Sequence, residues 1–366
     1  MKSLAIVGST GSIGNTSLKV FERNKNKFKL ICLAANSNEL KLSKQIKKYK
    51  PKFSFLINNK NKKNDKIFTT NIFFKKQKKK IDYVISGLAG FDALKINLKL
   101  LKISKNLLIA NKETIICGGP HFLKLAKKYK CNIIPIDSEH YCINFFLKNF
   151  KKKTSIDKIY ITASGGPFFS KNFNYDQSIN SVLKHPTWKM GNKISVDSST
   201  FANKILELFE AKILFNVKPE NLKIIVEQKS NVHVVIKLKN NLYLPVIHSP
   251  NMQVAISNSL EVVNNNRIFL DSLSINFLRP NLKKFPIINL GLTILSKYGH
   301  SGMILFTVLN ERLVKMFLNK DINYGEIPKT LVKAFKKKTI INKSNIKLSN
   351  INDIFNIINY AKKIKL

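Results

Sequence analysis

Over the first 137 residues, short apolar runs alternate with stretches whose apolar positions recur every three or four residues. The runs Ser3–Gly8, Phe28–Ala35, Phe53–Asn58, Ile81–Leu88, Asn106–Asn111 and Asn132–Asp137 predict strands. Ser12–Asn24, Asn38–Tyr49, Phe91–Ile103 and His121–Tyr129 predict helices between them. Strands apolar along their whole length, separated by amphipathic helices, predict an α/β fold with a Rossmann-like, doubly wound parallel sheet. The lysine-rich stretch Asn59–Lys80 breaks the alternation and reads as a solvated loop.

A second α/β region follows, with predicted strands Lys158–Ala163 and Lys223–Val226. Val232–Leu238 and Leu242–Ile247 read as a hairpin closed by Asn240-Asn241. From Phe285 the apolar positions keep helical spacing to the end of the chain. The expected division is a cofactor-binding domain at 1–145, a catalytic and connective α/β domain at 146–257, a linker at 258–284 that contains Asn264-Asn265-Asn266, and a small helical domain at 285–366.

At 366 residues and 44% hydrophobic, the chain can bury more than one core, which excludes a disordered protein. Its net charge of +43 raises nucleic acid or an anionic surface as a partner. Arginine, the residue favoured for bidentate readout, occurs only at Arg23, Arg267, Arg279 and Arg312. The excess is lysine, spread over every segment and accompanied by Asn and Ile, a pattern of A/T-rich coding; no specific nucleic-acid partner is expected. Cys32, Cys117, Cys131 and Cys142 form no CxxC pair and read as small core residues. No apolar run approaches the roughly 18 residues of a spanning helix, and a strand beginning by Leu4 leaves no room for a leader. A cytoplasmic protein without a membrane partner is expected.

Gly8-Ser9-Thr10-Gly11-Ser12-Ile13-Gly14 joins the first strand to the first helix, where glycines and free helical N–H groups suit a pyrophosphate. About 20 residues later, Ala35-Asn36-Ser37-Asn38 offers no acid for a ribose diol, which favours NADP over NAD; Lys41 and Lys44 are the nearest cations. Asn111-Lys112-Glu113 lies at the ligand edge of the sheet, or is an ordinary helix start. Asp137-Ser138-Glu139-His140 reads equally as two carboxylates on extended backbone aimed at a hard cation, or as an N-capping cluster. Ser164-Gly165-Gly166-Pro167 reads as a phosphate nest or a plain strand exit. His185-Pro186-Thr187-Trp188-Lys189-Met190-Gly191 carries the only tryptophan and reads as a lid or as a core anchor. After Ser198, the positions Thr200, Asn203, Lys204 and Glu207 form one polar helical stripe opposite Phe201, Ile205, Leu208 and Phe209.

Six stretches, in order, resemble the 1-deoxy-D-xylulose-5-phosphate reductoisomerases of non-mevalonate isoprenoid biosynthesis: GSTGSIG (8–14), LIANKE (108–113), IPIDSEH (134–140), TASGGPF (162–168), HPTWKMG (185–191) and KISVDSSTFANKILELFEA (193–211). The resemblance implies NADPH- and metal-dependent conversion of a phosphorylated ketose, 1-deoxy-D-xylulose 5-phosphate, to 2-C-methyl-D-erythritol 4-phosphate. The route it implies is retro-aldol cleavage, aldol closure and hydride transfer. Asp137, Glu139 and Glu207 would ligate Mg²⁺, Mn²⁺ or Co²⁺ and, through it, engage the substrate. Ser164, Ser198, Asn203 and Lys204 would hold the phosphate, while Lys112, Ser138 and His185 would contact the substrate and move protons. Trp188 and Met190 would belong to the closing loop. Thr10, Gly11, Ser12, Ile13, Asn38, Asn111, Glu113 and Gly191 would contact NADPH, and a homodimer is implied. The chain departs from the resemblance at Asn36-Ser37, where relatives place Gly and a basic residue, at Lys184 in place of arginine, and at Glu227-Gln228-Lys229-Ser230 in place of His-Pro-Gln-Ser.

Overall fold

The computed structural model describes residues 1–58, 67–150, 156–170, 175–188, 190–263, 268–269, 271 and 273–366. These divide into two compact units, one of Met1–Thr114, Phe122–Tyr141 and Asn251–Asn266, the other of Ile115–His121, Cys142–Pro250 and Arg267–Leu366.

In the first unit the chain runs β1 (Lys2–Val7), α1 (Ser12–Arg23), β2 (Phe28–Ala35), α2 (Glu39–Tyr49), β3 (Phe53–Leu56), β4 (Phe68–Thr69), α3 (Thr70–Lys76), β5 (Ile81–Ser86), α4 (Ala93–Ile103), β6 (Ser104–Ile109), α5 (Lys112–Lys128) and β7 (Asn132–Pro135). The seven strands form one parallel sheet in the order β4-β3-β2-β1-β5-β6-β7. Apolar strands produce it because both faces are covered: Leu4, Ile6 and Val7 of β1 and Val84 and Ile85 of β5 are fully buried. The strand order reverses between β1 and β5, and a crevice at such a switch point is where parallel sheets bind ligands.

Two parts of this unit differ from the sequence reading. Asn59–Lys80 is expected to be a loop; 59–66 lie outside the described residues, but Phe68–Thr69 adds an edge strand and α3 follows. Phe73 lies fully buried, stacked 4.7 Å from Phe55, so aromatic burial outweighs the local lysine content. Helix α5 begins at Lys112, not His121, and continues past a break at Gly119 (φ 51°, ψ −146°) before Pro120. The Gly-Gly-Pro signal marks a kink here, not a stop.

The chain continues with α6 (Ser138–Asn149), β8 (Ile156–Ala163), α7 (Ile179–Leu183), α8 (Asn192–Ser199), α9 (Ala202–Phe215), β9 (Leu222–Val226), β10 (Val232–Leu238), β11 (Tyr243–Ile247) and α10 (Met252–Ser259). It ends in α11 (Pro286–Lys297), α12 (His300–Leu318), α13 (Glu326–Ala334), α14 (Lys338–Ser344) and α15 (Ile351–Lys363). The second unit's sheet has the order β11-β10-β8-β9, with β8 and β9 parallel and β10 antiparallel to β8 and β11. Asn241 takes the left-handed conformation (φ 64°) that closes the expected hairpin. Helix α12 is buried along most of its length and packs against α13, α14 and α15. Helix α10 and the residues after it belong to the first unit, where Ile256 of the helix and Leu260 and Val262 beyond it join the core around Leu18 and Phe21 of α1. The four cysteines are free and buried.

Candidate active site

In the first unit, the turn after β1 is built on glycine. Gly8 has φ 86°, and a Cβ there would lie 2.7 Å from the backbone carbon of Gly87; one on Gly14 would lie 2.2 Å from the Gly8 carbonyl oxygen. Both positions therefore exclude side chains, which lets α1 start directly against the turn. Gly11 is the N-cap and offers no side-chain hydrogen bond, so the first-turn N–H groups of α1 stay available beside exposed Gly11 and Ser12. Helix α2 is tied to this turn from the other side. Ser9 Oγ donates to Gln45 Oε1 (2.7 Å), Gln45 Nε2 donates to the Ser9 carbonyl (2.9 Å), and Lys41 Nζ donates to the Thr10 carbonyl (2.8 Å). Asn38 caps α2 by accepting from the Lys41 amide.

Beyond β6, Asn111 caps α5 by accepting from the Thr114 amide (2.8 Å), and its Nδ2 donates to Glu113 Oε2 (2.8 Å). That cap points Lys112 inward. It is 5% exposed, with Nζ 3.0 Å from Asp137 Oδ2. His140, wholly buried, places Nδ1 3.5 Å from the same oxygen. Burial would raise the Asp137 pKa, but Lys112 and the His140 hydrogen bond outweigh it and hold the carboxyl well below the usual carboxylate range. Glu139 sits in the first turn of α6, where its Oε2 accepts from Ser138 Oγ. Of the two readings of this segment, the backbone takes the helix start and not the extended strand exit. The local donors are carboxylate oxygens, the chemistry a hard divalent cation takes.

The second unit carries the other candidates. After β8, Gly165 (φ 86°) and Gly166 (φ 68°) turn the chain so that the Gly166 amide donates to Ser164 Oγ (3.3 Å). His185 Nε2 lies 2.9 Å from Ser164 Oγ and 3.2 Å from Ser198 Oγ, so three expected residues meet at one ring. Its Nδ1 accepts from the backbone amides of Thr187 (3.2 Å) and Trp188 (3.0 Å). Two N–H donors on Nδ1 assign the ring proton to Nε2. Burial, and then the charge of Lys204, lower the His185 pKa to about 4. At neutral pH this histidine is an uncharged Nε2–H donor.

The polar stripe of α9 is not a solvent face. Lys204 and Glu207 are 6% and 1% exposed, with Lys204 Nζ 2.6 Å from Glu207 Oε2. Asn203 Nδ2 donates to Glu207 Oε1 (2.6 Å). Thr200 lies before the helix and does not share its face; its Oγ1 accepts from the Ala202 amide. Phe201, 2% exposed and packed 4.5 Å from Phe285, adopts the left-handed conformation (φ 65°) and turns the chain from α8 into α9. A bulky residue in this region is an outlier, sited between Ser198 and Asn203. Trp188 is half-buried, edge-on to His233 at 6.1 Å, and His233 stacks on His248 at 3.6 Å. Met190 is half-buried and Gly191 caps α8. Lys184 is exposed; Lys189 lies outside the described residues.

Three residues named in the sequence without a role of their own take one in the structure. Thr187 and Ser230 share a hydroxyl contact of 3.2 Å. Glu227, in the sequence only a departure from the family resemblance, is 2% exposed and occupied with backbone amides of its own turn. Periodicity carries no signal for such a contact.

Residues 4–119 match the family 1-deoxy-D-xylulose 5-phosphate reductoisomerase, 133–215 match its C-terminal domain, and 247–364 match a further DXP reductoisomerase C-terminal domain. A Pelagibacter ubique protein named 1-deoxy-D-xylulose 5-phosphate reductoisomerase is 39% identical over 99% of this chain and 98% of its own length. A crystal structure of DOX-P reductoisomerase in complex with NADPH, fosmidomycin and magnesium superposes with a TM-score of 0.91 at 27% identity, covering 99% of this chain and 97% of that one. The Zymomonas mobilis reductoisomerase in complex with NADPH gives 0.83 at 26% identity over the same shares.

Proposed function

Since the chain belongs to the 1-deoxy-D-xylulose 5-phosphate reductoisomerase family, we propose how its own side chains carry out that reaction. It is an NADP-dependent reductoisomerase of isoprenoid biosynthesis, which uses NADPH and a divalent cation to rearrange and reduce 1-deoxy-D-xylulose 5-phosphate to 2-C-methyl-D-erythritol 4-phosphate. In our reading Asp137, Glu139 and Glu207 hold the cation, which when bound supplies Lewis-acid polarisation of the ketone and neighbouring hydroxyl. NADPH, when bound, supplies the hydride.

The remaining roles belong to the chain. Ser164, Ser198, Asn203 and Lys204 bind the phosphate, and His185 gives it an Nε2–H hydrogen bond from a neutral ring. Lys112 and Ser138 contact the substrate's oxygens, Lys112 as the buried ammonium able to pass a proton during retro-aldol opening and aldol closure. Trp188 and Met190 cover the site and exclude water. The α1 amides around Thr10, Gly11, Ser12 and Ile13 bind the pyrophosphate, with Asn38, Asn111, Glu113 and Gly191 contacting the rest of the cofactor. Lys41, already bent onto the Thr10 carbonyl, takes the 2′-phosphate that Asn36-Ser37 lacks a cation to meet.

The observation that carries this reading is the pair of buried acid–lysine couples, Lys112–Asp137 and Lys204–Glu207. Lys112 holds the Asp137 carboxyl well below the usual carboxylate range, and Lys204 sets a cation against the Glu207 carboxylate at 1% exposure; carboxylate oxygens are what a hard cation takes. We assign the nucleotide to 1–145, which also supplies Lys112, Asp137, Ser138 and Glu139 to the reaction, and the remaining catalytic residues to 146–257; 258–284, whose first residues pack on the first unit, leads to the helical domain 285–366. Among the described residues no helix is long and apolar enough to cross a membrane, and we place the enzyme in the cytoplasm as a homodimer. The test is NADPH consumption by the purified chain with 1-deoxy-D-xylulose 5-phosphate, with Mg²⁺ or Mn²⁺ and with chelator. Metal-dependent formation of the branched product is expected; turnover unaffected by chelator would overturn the metal assignment. Sedimentation at assay concentration tests the dimer.

A further inference from the structure

Glu227 stands directly after β9, and its surroundings describe a built contact and not a stray acid. Its amide donates to the Ala163 carbonyl (2.8 Å), one residue before Ser164. Its Oε1 accepts from the Lys229 amide (2.9 Å), and its Oε2 accepts from the amides of Asn231 (2.8 Å) and Val232 (3.1 Å). A carboxylate has lone pairs enough for three such donors, and charge-assisted bonds are stronger than neutral ones. An imidazole, which the family resemblance leads one to expect at this position, accepts through one nitrogen.

The turn shaped in this way holds Ser230 in the left-handed conformation (φ 57°), its amide on the Glu227 carbonyl (3.2 Å). Ser230 Oγ then lies 3.2 Å from Thr187 Oγ1. Thr187 is the residue whose amide, with that of Trp188, fixes His185 Nδ1 and so aims Nε2 at Ser164 and Ser198. We infer that Glu227 is a positioning residue for the reaction: through the 228–231 turn and the Ser230–Thr187 contact, it sets the loop that presents His185 to the substrate's phosphate. It touches neither substrate nor cofactor, and it acts on substrate binding, not on hydride transfer. This inference rests on the phosphate assignment made above.

Trp188 is the only tryptophan, so its fluorescence reads this loop directly, without substrate. Glu227→Ala should increase acrylamide quenching of Trp188 and raise the KM for 1-deoxy-D-xylulose 5-phosphate by roughly tenfold, the scale of one or two lost hydrogen bonds. The kcat should fall much less, and the KM for NADPH should not change. Glu227→Gln keeps one accepting oxygen and turns an NH₂ towards the Lys229 amide, so it should fall between wild type and Glu227→Ala. Ser230→Ala breaks the same connection while leaving the carboxylate in place, and covers the case in which Glu227→Ala does not fold. It should reproduce both the quenching and the KM change. Combined with Glu227→Ala it should add little, as expected for residues in one chain of contacts. A Ser230→Ala protein with wild-type quenching and wild-type substrate KM would overturn the inference, as would a Glu227→Ala protein that loses only thermal stability. A wild-type chain inactive towards the ketose phosphate would overturn the phosphate assignment instead, because the quenching comparison stands without substrate.

Discussion

Lys204 presents its Nζ 2.6 Å from Oε2 of Glu207, and the two side chains are 8% and 1% exposed. A buried couple of this kind is stable only while both members keep their charge. Glu207→Gln retains the shape and an acceptor for Asn203 but removes an anionic oxygen. It should abolish turnover, at least a thousandfold on the scale of transition-state charge stabilisation, while NADPH binding measured by fluorescence stays near wild type. Full activity in that variant would defeat the assignment of Glu207 to the metal.

Lys204→Ala removes the ammonium from beside buried Glu207. The substrate KM should rise by about two orders of magnitude, as expected for a lost charge-assisted phosphate contact. The thermal midpoint should fall as well. An unchanged KM, measured at saturating NADPH, would remove Lys204 from the phosphate set.

The lowered pKa of His185 has a definite sign. Its folded value is about 4, below the ordinary 6.5, because burial and then Lys204 disfavour the cation. The unfolded chain therefore binds the extra proton first as pH falls, so this contribution to stability is complete above about pH 6.5 and is lost progressively towards pH 4. His300, also lowered to about 4 by burial, acts in the same window and the same direction. Thermal midpoints should drop between pH 6.5 and 4, with a shallower drop in His300→Gln. Substrate KM should show no inflection near pH 6.5; one that disappears in His185→Gln would contradict the neutral-donor role.

Cofactor choice can be read separately from turnover. Lys41→Ala should weaken NADPH binding by roughly tenfold or more, the worth of one charge-assisted contact, and leave NADH binding unchanged. Lys41→Arg should restore the difference, and Lys44→Ala, one turn along α2 and exposed, should not disturb it. Equal losses for both nucleotides in Lys41→Ala would show that the lysine only braces the turn.

Much of this architecture is legible in the residues alone. Phe28–Ala35 and Val232–Leu238 are strands with the bounds that their apolar runs predict, because a strand buried on both faces has little else to encode. The failures have local causes. Gly118-Gly119-Pro120 hides the first turns of α5 because a kink and a stop share one sequence signal. The aromatics of 68–74 lie hidden in a lysine-rich context. In the site, residue identity pointed to Lys204 and Glu207, but only the fold shows that their stripe faces inward. Glu227 remained opaque because its partners are backbone amides, which every sequence has.

Helix α10 has a consequence for synthesis. Ile256, Leu260 and Val262 complete a core begun by Leu4, Ile6, Leu18 and Phe21, more than two hundred positions earlier. As the chain emerges from the ribosome, the nucleotide-binding sheet can pair its strands early, yet that apolar stripe of α1 stays uncovered until some two-thirds of the protein has been made. The oldest part of the nascent chain is therefore also among the last to be sealed, and a fragment ending near residue 145 would carry the same open seam.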